Sequence, residues 1–568
     1  MGMEERHGGR CVSREGGFAM IEVSNVRIPL KQLDGTPERE LIACRRAAAK
    51  KLGIREGHIQ SLELRKRSVD ARKRSSIMLL FTVRIAVKRD EAEATKNCRD
   101  ARIVLAPEPS LPSRIENYAG PRPIVVGAGC AGLFCALALS SAGMRPLLIE
   151  RGDGSERRTQ VVQHFYRTGV LDPESNIQFG LGGAGTFSDG KLGTGTKSPA
   201  HRLILQTLVD AGAERRILWD AKPHVGSDVL PDVVSSVARR IVELGGEVRF
   251  RTRLTGLRIE DDIIQGVTLV ANEAEESFAT SIVVLACGHS ARDVFVLLKD
   301  SGVALERKPF AMGVRIEHLQ RNIDRILYGR SAGHPALGAA PYKLVDHLPS
   351  GRSVFSFCMC PGGYVVAATS EMEGVVTNGM SLSDRAGTNA NAALLVNVNP
   401  EDLEPDDVMA GMKLQIKCER RAFEETIGSG DPYAAPAQLV GDFLQRAPSS
   451  AAGKVCPTYP RGVCWGDSIK RTLPSYIIDS LRASLPRLER KIAGFSAADA
   501  VLTGVESRSS SPIRVVRGKE GESVSTRGLW PCGEGAGYAG GIMSAATDGL
   551  KIADALIAEA IRSQRRNP

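Results

Sequence analysis

The chain has 568 residues, of which 42% are hydrophobic and 25% are charged. This is the composition of a folded globular protein and excludes a disordered, collagen-like or coiled-coil chain. The length predicts at least two domains. The net charge of +10 is uneven, because residues 1–110 carry +8 and the rest of the chain carries +2. Twelve cysteines are too few for a disulfide scaffold and lack zinc-finger spacing, so we expect reduced thiols, no bound metal and a cytoplasmic protein.

The N-terminal part of the chain alternates between strand and helix patterns. Apolar alternation predicts strands at 21–30, 58–69 and 76–87, and an Ala/Arg/Lys-rich stretch predicts a helix at Pro37–Leu52. A further helix is predicted to begin at Glu91. This order is typical of a ferredoxin-like α+β module. We assign it to residues 20–105, after a tail at 1–19 and before a Pro-rich linker at 106–120.

One charge-free stretch, Pro123 to Met144, is long enough to cross a bilayer. Its glycines and prolines are arranged as a strand, a turn and a helix, so we predict no membrane span there.

The strongest nucleotide-binding pattern follows the strand at the start of this charge-free stretch. Three stretches fit G-x-G-x-x-G, so the pattern alone is weak. Only Gly127, Gly129 and Gly132 follow an apolar strand and open an apolar helix. The next strand ends in Glu150, which is placed to accept hydrogen bonds from both adenosine-ribose hydroxyls. The arrangement predicts a Rossmann-type dinucleotide site, with the diphosphate at the helix N-terminus.

A glycine-rich segment near the C-terminus favours FAD over NAD. A strand at 528–531 leads through glycines into a helix predicted at 544–561. The segment resembles the second flavin-binding motif of the glutathione-reductase-type FAD superfamily, in which an acidic residue binds the ribityl chain or pyrophosphate and the helix start faces the flavin. The resemblance assigns cofactor contacts to Gly533, Glu534, Gly540, Gly541 and Ile542. Glu534 stands where that superfamily more often has Asp.

Four further segments resemble the family of FAD-dependent dehydrogenases also called NAD(FAD)-utilising dehydrogenases. They are 182–192, 357–363, Thr377–Ser381 and 505–512. The first segment adds Gly183 and Gly185 to the expected cofactor contacts, although Leu181 replaces the family's usual acidic residue before it. The resemblance implies an α/β protein with a discontinuous Rossmann-like FAD domain at 121–305 and 498–568. A strand-rich substrate domain at 306–497 is inserted between these two parts.

A flavin carries out hydride chemistry itself, so the candidate catalytic residues are polar groups expected near its ring. Lys191 is placed to stabilise reduced flavin, with Asp189 beside it. Arg508 is suited to anchoring a substrate carboxylate, with Glu506 nearby. The alternatives are a loop-capping Asp with a solvated Lys, and an internal ion pair for Glu506 and Arg508.

Cys358 and Cys360 form a C-x-C pair. The redox pairs of flavin disulfide reductases are usually C-x4-C at the start of a helix after the first Rossmann unit. Because the spacing and the position both differ, the sequence favours structural thiols here.

The leading functional prediction is an FAD-dependent oxidoreductase acting on a small organic substrate. A nicotinamide cofactor, NAD(P)H, would bind only transiently, because no second strand-based glycine motif is present. The alternative is an FAD-dependent RNA-modifying enzyme, or a protein that docks an acidic partner, because nine basic residues and one acidic residue lie between Arg65 and Arg89. A third reading is a flavin-bearing binding protein without turnover.

Overall fold

The computed structural model describes residues 20–88, 91–105 and 109–566, so the predicted tail at 1–19 lies outside the described residues. The chain forms two compact units. The first unit contains the described residues up to Ser110, together with Glu214–Pro223 and Arg321–Ala340. The second unit contains the other described residues. Two segments that the sequence boundaries place beyond the N-terminal module thus belong to the first unit.

The first unit contains a four-stranded antiparallel sheet. In spatial order its strands are Ile59–Asp70, Met78–Val87, Met20–Pro29 and Ala101–Val104. The helices Pro37–Leu52 and Glu91–Thr95 complete the β-α-β-β-α-β order, which confirms the predicted ferredoxin-like module. The longer helix has Pro at its start, Thr36 as its N-cap and Gly53 in the left-handed region at its end.

The basic hairpin of this unit is less exposed than the sequence indicates. Arg67 turns inward, and both oxygens of the buried Glu40 carboxylate lie within about 3 Å of its guanidinium nitrogens. Arg84 pairs with Glu22 at 3.1 Å. Arg72 pairs with Asp70 at 2.6 Å and is mostly exposed. The cationic surface is therefore smaller than the count of basic residues suggests.

We expect Arg67→Met to lower the free energy of unfolding by about 3 kcal/mol, because Glu40 would keep a buried carboxylate without its ion partner. Arg72→Met is the matched control, and its exposed pair should contribute less than about 1 kcal/mol. Urea unfolding of the two variants checks the difference. Equal losses would contradict the buried pairing.

The second unit is built around a five-stranded parallel sheet, as the Rossmann prediction requires. In spatial order the strands are Leu529–Pro531, Val283–Leu285, Ile124–Val126, Leu147–Ile149 and Glu247–Arg249. The three central strands are almost entirely buried, as expected for a parallel sheet with both faces covered. The chain enters this sheet from two distant regions, which confirms the discontinuous FAD-type fold.

The other sheets of the second unit are mostly antiparallel. The three-stranded sheet consists of Ala274–Ala279, Ile263–Ala271 and Thr252–Glu260. The seven-stranded sheet consists, in spatial order, of Val345–His347, Ser353–Cys360, Asn389–Val398, Phe310–Leu319, Val501–Glu506, Ala435–Leu439 and Val463–Trp465. The two-stranded sheets pair Leu305–Arg307 with Ile513–Val515 and Gly363–Ala367 with Thr377–Ser381.

The sequence pattern predicts a hairpin in which residues 353–357 pair with residues 364–368. The structure has a different pairing. Ser353–Cys360 instead pairs with Asn389–Val398, and Gly363–Ala367 pairs with Thr377–Ser381. Gly362, at φ +49°, lies between the strands Ser353–Cys360 and Gly363–Ala367, which belong to different sheets.

The remaining α-helices of the chain lie between the strands or after the last of them. They are Cys130–Ser141, Ser155–Thr168, Ala200–Asp210, Leu230–Glu243, Arg292–Asp300, Gln320–Tyr328, Ala410–Glu424, Val440–Gln445, Ile469–Thr472, Ser475–Glu489 and Ile542–Arg566. Cys130–Ser141 occupies the charge-free stretch after the first parallel strand. Among the described residues, no helix combines the length and apolar character needed to cross a membrane.

Candidate functional site

A cleft of about 340 Å³ lies in the second unit, at the carboxyl ends of the parallel strands. This is where ligands bind in open α/β sheets. Its lining includes most of the predicted cofactor contacts. They are Gly127, Gly129, Glu150, Gly183, Gly185, Glu534, Gly540, Gly541 and Ile542. Gly132 and Gly533 do not line the cleft.

The three glycines of the first motif do three different things. Gly127 has φ +99°, and a Cβ there would lie 2.5 Å from the carbonyl oxygen of Ala286. A Cβ on Gly132 would lie 1.9 Å from the carbonyl oxygen of Gly127, so this glycine brings the helix onto the strand. A Cβ on Gly129 would meet only Gly183 Cα, at 3.9 Å. Gly129 therefore leaves space in the cleft itself.

Glu150 is buried and holds the turn together. Its carboxylate accepts backbone N–H bonds from Ala128 at 2.8 Å, Gly152 at 3.0 Å and Gly180 at 2.9 Å. These bonds take up most of the acceptor capacity of the carboxylate. Its Oε2 has room for a further donor, so a contact with one ribose hydroxyl fits better than the two predicted from the sequence.

A second glycine-rich turn, at residues 180–185, lies against the first. Gly182 donates to the carbonyl of Ala128 at 2.8 Å, and Gly183 lies next to Gly129. Arg158 is fully buried and donates to four carbonyl groups of residues 176–181. Burial lowers the pKa of Arg158 to about 10, which still leaves it charged at neutral pH. This arginine fixes the turn without using a carboxylate.

The third glycine-rich turn contributes the start of the C-terminal helix. Gly540, Gly541 and Ile542 line the cleft, with no acidic residue in the first helical turn. Gly533 has a packing role, because a Cβ there would lie 2.6 Å from the Cβ of Ala131. Its N–H donates to Asp548 at 2.7 Å.

Glu534 and His289 lie close together at this end of the cleft, and neither carries a full charge at pH 7. Burial raises the pKa of Glu534 to about 7. Burial, with Arg508 and Arg292 nearby, lowers the pKa of His289 to about 4. The His289 ring is therefore neutral at pH 7, with Nε2 lying 3.7 Å from Glu534 Oε1.

Lys191 lines the cleft, as predicted, but Asp189 does not. Asp189 is fully buried and pairs with Lys191 at 3.2 Å and with the Arg385 guanidinium. The two cations hold the pKa of Asp189 below its usual range, although burial alone would raise it. Asp189 is thus placed as a counter-ion and has no exposed surface from which to exchange protons with a ligand.

Glu506 and Arg508 also line the cleft, but both side chains are in internal ion pairs. Glu506 forms a bidentate pair with Arg315 at 2.8 and 3.0 Å. Arg508 contacts Glu419, Glu371 and Ser370 through its three nitrogens. The sequence left an internal ion pair open as the alternative, and the geometry favours it over carboxylate anchoring.

Sequence reasoning did not assign Cys358 or Asn378 to the site, yet both line the cleft. The only indication was that both belong to the family-like segments. All four of those segments contribute to the lining, through Lys191, Cys358, Asn378 and Ser509 among others. Long-range strand pairing brings them together, which local patterns do not reveal.

Comparison with known proteins agrees with this architecture. Residues 309–509 match a family model described as FAD-dependent protein, C-terminal domain-like, and residues 20–86 match a domain of unknown function. A protein from Clostridium beijerinckii, described as uncharacterized, is 40% identical over 540 residues, which cover 94% of this chain and 98% of that protein. The chain belongs to the same family as the Clostridium protein.

More distant similarities are shorter or weaker. A digeranylgeranylglycerophospholipid reductase from Methanosarcina acetivorans is 30% identical over 169 residues, or 29% of this chain and 37% of the reductase. The flavin-dependent brominase Bmp2 has a TM-score of 0.36 at 12% identity, covering 78% of this chain and 80% of the brominase. A geranylgeranyl bacteriochlorophyll reductase-like protein from Thermoplasma acidophilum has a TM-score of 0.35 at 14% identity, covering 78% and 79%. At TM-scores this low, the two structures do not indicate the function of this chain.

Proposed function

We propose that this protein is an FAD-dependent oxidoreductase that acts on a small organic substrate. The proposal is carried by one observation: three glycine-rich turns from distant parts of the chain line a single cleft, and two of them open helices there. The match of residues 309–509 to an FAD-dependent domain supports it.

The two helix starts fit opposite parts of the cofactor. Cys130–Ser141 has Gly129 as its N-cap and no acidic residue in its first turn, so its free N–H groups favour a diphosphate. Ile542–Arg566 has the same lack of acidic residues. Its partial positive charge of roughly half a unit favours negative charge on a reduced flavin ring.

Bound FAD would supply the hydride chemistry, and the chain would supply position and charge. Glu150 and Gly129 would hold the adenosine and diphosphate, and Glu534 would contact the ribityl chain. Lys191 would keep a positive charge at the cleft wall because buried Asp189 fixes it in place. Arg508 and Glu506 would shape the wall through their ion pairs instead of binding substrate.

The test is whether the protein purifies with FAD. We expect a yellow protein that releases FAD on denaturation, because nine of the eleven residues predicted to contact the cofactor line one cleft. Anaerobic mixing with sets of metabolites should then identify a substrate by bleaching of the flavin absorbance. A colourless protein that does not bind added FAD would contradict the proposal.

A nicotinamide cofactor, if used, is proposed to bind transiently from solution. The RNA alternative rests on the basic hairpin, and two of the arginines there, Arg67 and Arg84, are in internal ion pairs. We therefore favour the small-molecule substrate.

A further inference from the structure

Cys358, on the cleft wall, and Cys360, behind it, both lie beside a lysine. Lys191 Nζ is 3.8 Å from Cys358 Sγ and 3.7 Å from Cys360 Sγ. Cys358 lines the cleft, whereas Cys360 is fully buried behind it. The Cys360 thiol also lies 3.2 Å from the Cys358 carbonyl oxygen. One cysteine of the pair therefore lines the cleft, and the second lies within the same small cluster.

The charges around Cys358 favour a thiolate. The cations are Lys191, Arg315, which donates to the Cys358 carbonyl at 3.0 Å, and Arg385. The facing carboxylates are Asp189 and Glu506, and Glu534 lies farther along the same cleft. Glu534, with a pKa of about 7, is mostly neutral at pH 6. Three cations against the two paired carboxylates then leave one positive charge, which a thiolate would neutralise.

The pKa values of the two thiols are shifted in opposite directions. The neighbouring Cys360 thiol, together with Lys191 and Arg315, holds the pKa of Cys358 well below its usual range. Burial raises the pKa of Cys360. A reactive thiolate next to a protonated thiol is the arrangement that thiol–disulfide exchange uses.

The backbone at Cys358 is unusual for a strand residue. Its φ is +41°, and the pairing register shifts between Phe357 and Cys360. A residue other than glycine in the left-handed region is strained. The strain falls on the one cysteine of the pair that lines the cleft.

We propose that Cys358 and Cys360 are a redox-active dithiol that reduces a small organic disulfide entering the cleft. The Cys358 thiolate attacks one sulfur of the disulfide, whose S–S bond breaks and releases a thiolate. The Cys360 thiol gives its proton to that thiolate and attacks Cys358 Sγ. A Cys358–Cys360 disulfide forms, and the second thiolate leaves and takes a proton from water. Two electrons pass from the dithiol to the substrate, and this exchange does not depend on FAD.

Tryptic digestion suits the test, because residues 353–385 form one peptide that contains Cys358 and Cys360 and no other cysteine. The purified protein is treated with 2-hydroxyethyl disulfide, and the remaining thiols are alkylated before digestion. We expect this peptide to lose two hydrogen atoms and to escape alkylation. Cys360→Ser should instead retain a mixed disulfide on Cys358. A fully alkylated peptide, or a mixed disulfide in the wild type, would overturn the proposal.

Lys191 is a positioning residue in this proposal, and a pH profile of thiol alkylation tests it. At about pH 6, Cys358 should react at least about tenfold faster than Cys456, an exposed thiol without a neighbouring cation among its described contacts. Lys191→Met should remove most of that advantage and move the inflection to higher pH, whereas Lys191→Arg should restore it. A Lys191→Met profile identical to the wild type, or equal rates for Cys358 and Cys456 in the wild type, would refute the role.

The colour of the purified protein and the formation of the disulfide test the FAD proposal and the dithiol proposal independently. A colourless protein that forms the disulfide would remove the FAD function and keep the dithiol. A yellow protein without the disulfide would do the reverse.

Discussion

Gly129→Val should give a folded protein that no longer holds FAD. Gly129 lies at the N-cap of the Cys130–Ser141 helix with extended backbone, at φ −74° and ψ −178°. Valine adopts this conformation readily, and no protein atom lies within 3.9 Å of the Cβ position. The new side chain would therefore fill only the space that the proposed diphosphate needs.

We expect the FAD dissociation constant to rise by about a hundredfold or more, or about 3 kcal/mol. The thermal midpoint of the apoprotein should change little, because an N-cap substitution of glycine costs of the order of 1 kcal/mol. Gly428→Val is the matched control, since no atom lies within 4 Å of its Cβ position and it is outside the cleft. Retention of FAD by Gly129→Val at wild-type affinity would place the cofactor elsewhere.

A comparison with Gly132 separates binding from folding. A Cβ on Gly132 would lie 1.9 Å from a carbonyl oxygen, so Gly132→Val would disturb the packing of helix on strand. A loss of FAD from Gly132→Val would therefore not show that the cleft binds the cofactor. The two glycines look equivalent in the motif, and only the structure distinguishes their tasks.

The sequence predicts the parts of this fold that depend on neighbouring residues. The Pro37–Leu52 helix is predicted at its observed bounds, because its cap and end residues are all local. The parallel strand Ile124–Val126 is predicted because a short apolar run ends in glycine. In both cases the deciding contacts lie within a few residues.

The walls of the site depend on contacts across hundreds of residues. Arg315 and Glu506 are 191 residues apart, and Arg508 and Glu419 are 89 apart. The sequence names Glu506 and Arg508 without their partners, so both an internal ion pair and a substrate contact are consistent with the pattern. Lys191 lies 167 residues from Cys358, which is why the thiol pair had no visible activating group.

Glu419→Gln should destabilise the second unit by about 3–5 kcal/mol, because it removes the charge of the buried carboxylate that two buried arginines share. Glu419 is 2% exposed and contacts the guanidinium groups of both Arg292 and Arg508 at 2.8 Å. Among the carboxylates of the described residues, the partly exposed Glu371 would still contact both arginines. Glutamine keeps the shape and removes the charge, so the loss measures electrostatics.

The pH dependence of this loss has a defined sign. Burial opposes ionisation, but Arg292 and Arg508 hold the pKa of Glu419 well below the usual range of a glutamate. A depressed carboxyl pKa stabilises the folded state above the unfolded pKa and loses that stabilisation as the pH falls toward the folded pKa. The difference between wild type and Glu419→Gln should thus be constant from neutral pH down to about 4.5 and should shrink below it.

Glu425→Gln provides the control at the end of the same helix. Glu425 pairs with Arg471, whose side chain is about half exposed, so its loss should cost less than about 1 kcal/mol. Urea unfolding at several pH values measures both variants. Since Arg508 lines the cleft, Glu419→Gln should also weaken FAD binding, which Glu425→Gln should leave unchanged. Equal stability losses in the two variants would mean that the buried network contributes no more than a surface pair.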